Sequence, residues 1–300
     1  MNNFKSGFVS IIGRTNVGKS TLINSLIGEK IAITANKSQT TRTVIKAIIN
    51  NKNSQIIFID TPGIHKPKTN LGTTMNDNAW STIPEVDIIL FIVEATSNGI
   101  GKGDQMIIEK LKESNKKAIL VINKIDLVEK EKLLKLIELY NKEYNFVATI
   151  PISATQNENT NKIIEEIEKN LPEGPAYYDV EEYTDQTERQ LVEELIREKA
   201  LRLLDQEVPH GIFVEVEKMS LRKTSKNQDI YDIEATIYVL KKSHKGIIIG
   251  KDGNMLKRIG TYARQDIEKM LDTKVNLKLW VKIKEGWQDN DSIVKKFKNE

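Results

Sequence analysis

Eight consecutive residues, Gly13-Arg14-Thr15-Asn16-Val17-Gly18-Lys19-Ser20, have the spacing G-x-x-x-x-G-K-S, which suits them to holding phosphate. Glycines let backbone N–H groups converge on phosphate oxygens, and the start of a following helix favours negative charge. Lys19 then reaches the β- and γ-phosphates, and the Ser20 hydroxyl is placed to hold Mg2+. The loop needs a strand before it and a helix after it. Phe8-Val9-Ser10-Ile11-Ile12 reads as the strand and Thr21-Leu22-Ile23-Asn24-Ser25-Leu26 as the helix. The expected phosphate-binding residues are therefore Gly13, Asn16, Val17, Gly18, Lys19, Ser20 and Thr21.

Further motifs follow in order. Asp60-Thr61-Pro62-Gly63 ends the apolar run Gln55-Ile56-Ile57-Phe58-Ile59; Asp60 can hold Mg2+ through water, and the Gly63 amide can sense a γ-phosphate. Before the strand 43–49 lies Gln39-Thr40-Thr41-Arg42, where a loop hydroxyl could fold onto the metal; Thr41, next to Arg42, is chosen over Thr40. Asn123-Lys124-Ile125-Asp126 follows the run Ala118-Ile119-Leu120-Val121-Ile122 and reads guanine. A carboxylate at Asp126 accepts both the ring N–H and the exocyclic amine of guanine, an edge adenine does not offer. Asn123 would tie this loop to the phosphate loop, and the Lys124 stem would lie along the purine. Ser153-Ala154, after Thr149-Ile150-Pro151-Ile152, takes its weight from its place in the series.

These motifs need a nucleotide domain ending near residue 170, yet the chain has 300 residues, enough for a second core. Leu171-Pro172-Glu173-Gly174-Pro175 breaks a helix, and 179–185 is acidic and weakly patterned. The expected organisation is a nucleotide domain over 1–172, a linker over 173–185 and a second domain over 186–300. In the last, Leu191, Val192, Leu195, Ile196, Ala200, Leu203 and Leu204 recur at helical spacing, as on a plain core-facing helix. Residues 211–217, 229–240 and 275–283 alternate like strands. Between the last two strands stands Gly250-Lys251-Asp252-Gly253, followed by Lys257 and Arg258. A G-x-x-G loop between helices, in the order helix, strand, strand, helix, loop, helix, strand, is the backbone clamp of a KH domain, which grips about four nucleotides of single-stranded nucleic acid. Gly250, Lys251, Asp252, Gly253, Lys257 and Arg258 are its expected RNA contacts. Residues 241–300 carry a net charge of +7 and residues 1–240 a net charge of −4, so positive charge gathers where phosphate would bind.

In this order the motifs resemble the translation-factor-related class of GTP-binding proteins. Lys37-Ser38-Gln39-Thr40-Thr41-Arg42, Asp60-Thr61-Pro62-Gly63-Ile64-His65-Lys66-Pro67, Glu207-Val208-Pro209-His210, the stretch 248–260 and Leu279-Trp280-Val281-Lys282 resemble the Era family of bacterial ribosome-assembly GTPases over nearly the full chain. The resemblance implies an α/β P-loop GTPase domain, with a mostly parallel six-stranded sheet and strand 44–49 antiparallel at its edge, followed by an α+β type II KH domain. It implies GTP and GDP as ligands with Mg2+ on Ser20, Thr41 and Asp60, and hydrolysis supported by Lys19, Thr41, Gly63 and Asn16. It also implies binding to the 3′ end of small-subunit ribosomal RNA during maturation of the small ribosomal subunit. Ile64 stands where many signalling GTPases carry a water-orienting glutamine. Asn16 matches the phosphate-loop asparagine of potassium-stimulated relatives, in which K+ stands in for an arginine finger. Thr15 and Asp252 depart from the usual pattern, which has proline at the first position and glycine or a basic residue at the second.

Composition narrows the classes. There is no cysteine, so there is no disulfide framework and no thiol chemistry, and His65, His210 and His244 lack metal-ligand spacing. No apolar run approaches the ~18 residues of a membrane span, and residues 1–7 lack a secretory signal. A cytoplasmic monomer is expected, with room for peripheral contact at the inner face of the cell membrane. Gly99, Gly101 and Gly103 read as a surface connection, because no strand directly precedes them. Two rivals stand beside the RNA reading: a GTPase switch whose C-terminal domain binds a protein or membrane surface, and an RNA chaperone with a degenerate nucleotide site.

Overall fold

The computed structural model describes residues 4–28, 32–34, 40–205 and 208–298. Lys37, Ser38, Gln39 and Glu207, named above, lie outside the described residues. Two compact units result: Met1–Ala32 with Thr41–Asp185 and Lys295–Glu300, and Ile33–Thr40 with Gln186–Val294.

The first unit alternates strands and helices: β1 (Lys5–Gly13), α1 (Lys19–Ile27), β2 (Ile45–Asn51), β3 (Ser54–Asp60), α2 (Asn70–Ser81), β4 (Ile88–Glu94), α3 (Lys102–Ser114), β5 (Lys117–Asn123), α4 (Lys130–Glu143), β6 (Ala148–Pro151) and α5 (Thr160–Asn170). The sheet order is β2-β3-β1-β4-β5-β6, with β2 antiparallel to β3 and every other pair parallel. The central strands are continuous apolar runs because helices cover both faces. Alternation along each strand then divides the core in two. Ile88, Leu90 and Ile92 of β4 join Leu22 and Ile23 of α1 and Ile163 and Ile167 of α5 on one face. Ile89, Phe91 and Val93 join Ile107 and Leu111 of α3 and Leu136 and Tyr140 of α4 on the other.

This topology brings Gly13, Asp60, Glu94 and Asn123 to the carboxyl ends of β1, β3, β4 and β5. That is where open α/β sheets bind ligands. The stretch expected as a linker is counted with this unit. The carbonyls of Tyr183, Val180 and Tyr178 accept hydrogen bonds from Ile48 N at 3.0 Å, Asn50 Nδ2 at 3.0 Å and Gln55 Nε2 at 2.8 Å. It thereby covers the outer edge of β2, whose backbone groups would otherwise be open to other chains.

The second unit contains α6 (Glu188–Leu203), β7 (Phe213–Lys223), β8 (Asp229–Val239), α7 (Lys242–Ile249), α8 (Asn254–Leu271) and β9 (Lys274–Ile283). β8 pairs antiparallel with β7 and parallel with β9. Val214, Ile233, Ile237, Val275 and Val281 of the sheet pack against Val192 and Ile196 of α6 and Ile259, Ala263 and Ile267 of α8. Thr187 caps α6 in a reciprocal box with Gln190, which satisfies the first free N–H groups of the helix. α6 differs from a plain core-facing helix in burying Arg197, Glu198 and Lys199. Lys199 pairs with Glu198 at 3.3 Å and with Asp266, so these charges enter the interior already partnered.

Candidate functional site

The phosphate loop turns between β1 and α1 through Gly18, whose φ of +102° lies in the left-handed region. A Cβ there would stand 2.2 Å from Asn123 Nδ2, so backbone conformation and crowding both require glycine. Asn123 sits at the end of β5, only 3% exposed. Its Nδ2 donates to Val17 O at 2.9 Å, and its Oδ1 accepts from Lys124 N at 2.8 Å and Ala154 N at 3.0 Å. One side chain thus joins the phosphate loop, the N-K-x-D loop and the Ser153-Ala154 loop. Lys124 adds a second tie, its Nζ donating to Asn16 O at 2.9 Å. Asp126 is exposed in the short 3-10 turn Ile125–Leu127 beside them.

Lys19 is buried and donates to Gly13 O at 3.2 Å and Arg14 O at 2.9 Å. Burial pulls its pKa down to about 8, against the raising effect of Asp60. Burial pushes Asp60 up to about 6, opposed by the Lys19 charge, by hydrogen bonds from Ser20 and Thr41, and by the Thr61 backbone. Ser20 Oγ donates to Asp60 Oδ2 at 3.0 Å and lies 2.9 Å from Thr41 Oγ1, which is 3.4 Å from the same carboxylate oxygen. Asp60 Oδ1 is buried without a hydrogen-bond partner. Two hydroxyls and a buried carboxylate with one oxygen unsatisfied form a hard oxygen donor set, and they fit Mg2+. Lys19 and the N-terminus of α1 that follows Gly18 fit the phosphates it would accompany.

Gly63 approaches the loop so closely that a Cβ would stand 2.7 Å from Thr15 Cα. Ile64 N donates to Gly13 O at 3.1 Å, and its side chain, 3% exposed, packs in the core. The position after D-x-x-G is therefore a packing position, with no polar group to orient water. His65 Nδ1 lies 2.9 Å from Gly63 O, and Asn76 Nδ2 donates to His65 O at 2.7 Å, which anchors the following segment to α2.

In the second unit, Gly250 ends α7 with φ of +73°, and a Cβ on it would stand 2.7 Å from Met255 Cβ. Asp252 also adopts positive φ, +53°, a region aspartate tolerates better than most residues. Beside this loop lies an open groove of about 390 Å³ lined by Gly253, Leu256, Lys257, Gly260, Thr261, Arg264, Leu277 and Leu279. Of the expected contacts, Gly253 and Lys257 line it, and Gly250, Lys251 and Asp252 form the loop at its end. Arg258 is exposed and does not line it, being turned about 100° around α8 from Lys257.

Several residues escaped the motif reading. Arg264 of the groove was legible in principle: Lys257, Gly260, Thr261 and Arg264 recur at one-face helical spacing. Arg14, Glu94 and Asp104 were not, since only the fold brings them together, with Arg14 Nε 3.0 Å from Asp104 Oδ1.

Known proteins carry the same arrangement. A family described as "MMR_HSR1: 50S ribosome-binding GTPase" matches residues 8–124, and the KH domain family matches residues 207–288. The chain is 52% identical to the GTPase Era of Ruminiclostridium cellulolyticum over 98% of this chain and 97% of that one. It is 51% identical to the GTPase Era of Clostridium kluyveri over 98% of each. A crystal structure of Era in complex with MgGDPNP and nucleotides 1506–1542 of 16S ribosomal RNA superposes with a TM-score of 0.93 at 39% identity, covering 98% of both chains. A variant of Aquifex aeolicus Era bound to GDP·AlF4− gives the same TM-score and identity over 98% of this chain and 99% of that one.

Proposed function

The chain belongs to the Era family of GTPases, and from that premise we propose that it couples GTP hydrolysis to binding the 3′ end of small-subunit ribosomal RNA during maturation of the small ribosomal subunit. The GTPase domain spans 1–172, the connecting stretch 173–185 and the RNA-binding domain 186–300, and the protein acts as a cytoplasmic monomer. Among the described residues no helix is long and apolar enough to cross a membrane.

Ser20, Thr41 and Asp60 would hold Mg2+, which when bound supplies charge neutralisation on the β- and γ-phosphate oxygens. Lys19 places a buried positive charge against the same phosphates. Asp126 selects guanine, while Asn123 and Lys124 keep its loop in register with the phosphate loop. The Thr41 hydroxyl and the Gly63 amide respond to the γ-phosphate, so its loss releases the segments that carry them. Asn16 is exposed, with positive φ and its carbonyl engaged by Lys124, which leaves its carboxamide at the open side of the loop for K+.

The observation that carries the RNA half is the groove beside Gly250–Gly253. Leucines there supply an apolar floor for bases, Lys257 and Arg264 supply charge for the backbone, and glycine at 253 allows close approach. The test is GTP turnover in potassium and in sodium buffer, with and without a short RNA matching the 3′ end of 16S ribosomal RNA, alongside direct RNA binding. Faster turnover in potassium supports the Asn16 role, and equal rates overturn it. RNA binding that also stimulates turnover supports the coupled reading. Binding without stimulation refutes coupling, and no binding transfers the C-terminal domain to a protein or membrane partner.

A further inference from the structure

The run Gly99-Ile100-Gly101-Lys102-Gly103-Asp104, a mere surface connection by its sequence, leads into α3 and receives the side chain of Arg14 from the phosphate loop. Arg14 Nε donates to Asp104 Oδ1 at 3.0 Å, and its Nη2 donates to Ser97 Oγ at 2.9 Å. Asp104 is fully buried, and its other oxygen accepts the Gly101 amide at 3.2 Å, which fixes the carboxylate to the start of α3. Gly103 makes room: a Cβ on it would stand 3.0 Å from Arg14 Cδ, whereas one on Gly101 would stand at an ordinary contact of 3.5 Å from Arg14 Nη1.

The contact continues around the site. Glu94, at the end of β4, lies 4.0 Å from Arg14 Nη2 through Oε1 and accepts from Lys124 Nζ at 2.6 Å through Oε2. Lys124 Nζ in turn donates to Asn16 O, two residues beyond Arg14. Asp104, Arg14, Glu94 and Lys124 therefore form a chain of alternating charge that leaves the phosphate loop at one residue and returns to it at another. Arg14 O also accepts from Lys19 Nζ, so a shift of Arg14 is felt by the lysine that faces phosphate. Asp104 is shut off from solvent, which makes its bond to Arg14 costly to break.

We propose that the Gly101-Lys102-Gly103-Asp104 turn is a clamp on the phosphate loop, with Arg14, Asp104 and Glu94 as positioning residues that hold this loop and the N-K-x-D loop as one unit and set the lifetime of bound nucleotide. None of the three touches the reacting atoms. Their effect passes through the Lys124 contact and the backbone of residues 14–16.

The experiment is dissociation of a fluorescent GDP analogue from the full-length protein, chased with excess GDP, for Arg14→Gln, Asp104→Asn and the double variant. Each single variant is expected to release nucleotide about tenfold faster, the scale of one charge-assisted hydrogen bond. The double variant should be no faster than the faster single, because both break one link. Leu111→Ala, a buried α3 change away from the loop, controls for lost stability: its unfolding midpoint should fall while its release rate stays within about twofold. Should Asp104→Asn fail to fold, Gly103→Ala keeps every charge and presses on Arg14, and faster release is expected from it also. Singles within about twofold of wild type, rate effects that multiply in the double, or equal acceleration by Leu111→Ala would each overturn the clamp.

Discussion

Replacing Asn123 by alanine removes three hydrogen bonds and separates three loops, leaving the phosphate loop and the Ser153-Ala154 loop unchanged in sequence. Two of the abandoned groups belong to buried residues, since Val17 and Ala154 are 1% and 4% exposed. A buried polar group deprived of its partner costs about 1–3 kcal/mol, so the Val17 carbonyl and the Ala154 amide together cost about 2–6 kcal/mol. If the protein recovers part of this by letting the loops move apart, the cost reappears as lost nucleotide affinity. About 3 kcal/mol of it corresponds to a dissociation constant for GDP raised about a hundredfold. Equilibrium titration with a fluorescent GDP analogue reads the affinity, and urea unfolding of nucleotide-free protein reads the stability. An affinity within about threefold of wild type, alongside a clear loss of stability, would refute the reasoning, because the loops would then be held in register by something other than Asn123.

Other perturbations address the second unit. Burial, with the charges of Glu194 and Glu215, holds the Glu193 carboxyl above its ordinary range, although the Val216 amide donates to it and pulls the other way. A carboxyl raised in the folded state binds its proton there more tightly than in the unfolded chain, so its contribution to stability falls as pH rises above the ordinary value of 4.5. Glu193→Gln keeps an acceptor for Val216 N and should gain on wild type in urea unfolding as pH is raised from 4.5 to 7; a pH-independent difference would contradict this. Arg264→Ala should weaken RNA binding across sequences and lower the salt slope of affinity by about 1, measured by titration at several salt concentrations, with GTP turnover in the absence of RNA unchanged. Trp287 is fully buried, donates from Nε1 to Gly211 O at 3.0 Å and packs on Phe213, so Trp287→Ala should cost about 3–5 kcal/mol in urea unfolding.

The sequence by itself determined the chemistry of the nucleotide site. Gly13 to Thr21, Asp60 to Gly63 and Asn123 to Asp126 are short contiguous runs, each a strand end with its turn, so local residue order specifies each part. The apolar runs 8–12, 55–59 and 118–122 were legible as strands, because strands buried on both faces must be apolar, while the mostly parallel order of the sheet came with the family resemblance. The G-x-x-G loop was legible from its glycines and from the order of elements around it.

Pairings between distant segments were decided only in three dimensions. The acidic stretch near 180 has no pattern of its own, yet it meets β2 through the backbone carbonyls of Val180 and Tyr183, groups that every residue type possesses. Arg197, Glu198 and Lys199 lie on a helix read only for its apolar face, and each is buried with a partner: Glu194 for Arg197, Arg202 for Glu198, and Asp266 of α8 for Lys199. Arg14 and Asp104 stand 90 residues apart and meet because β1 and β4 are neighbours in the sheet and the chain after β4 passes beside the phosphate loop. A motif records what a residue and its near neighbours must do together; which remote charge completes it depends on strand order, and only the packed sheet sets that.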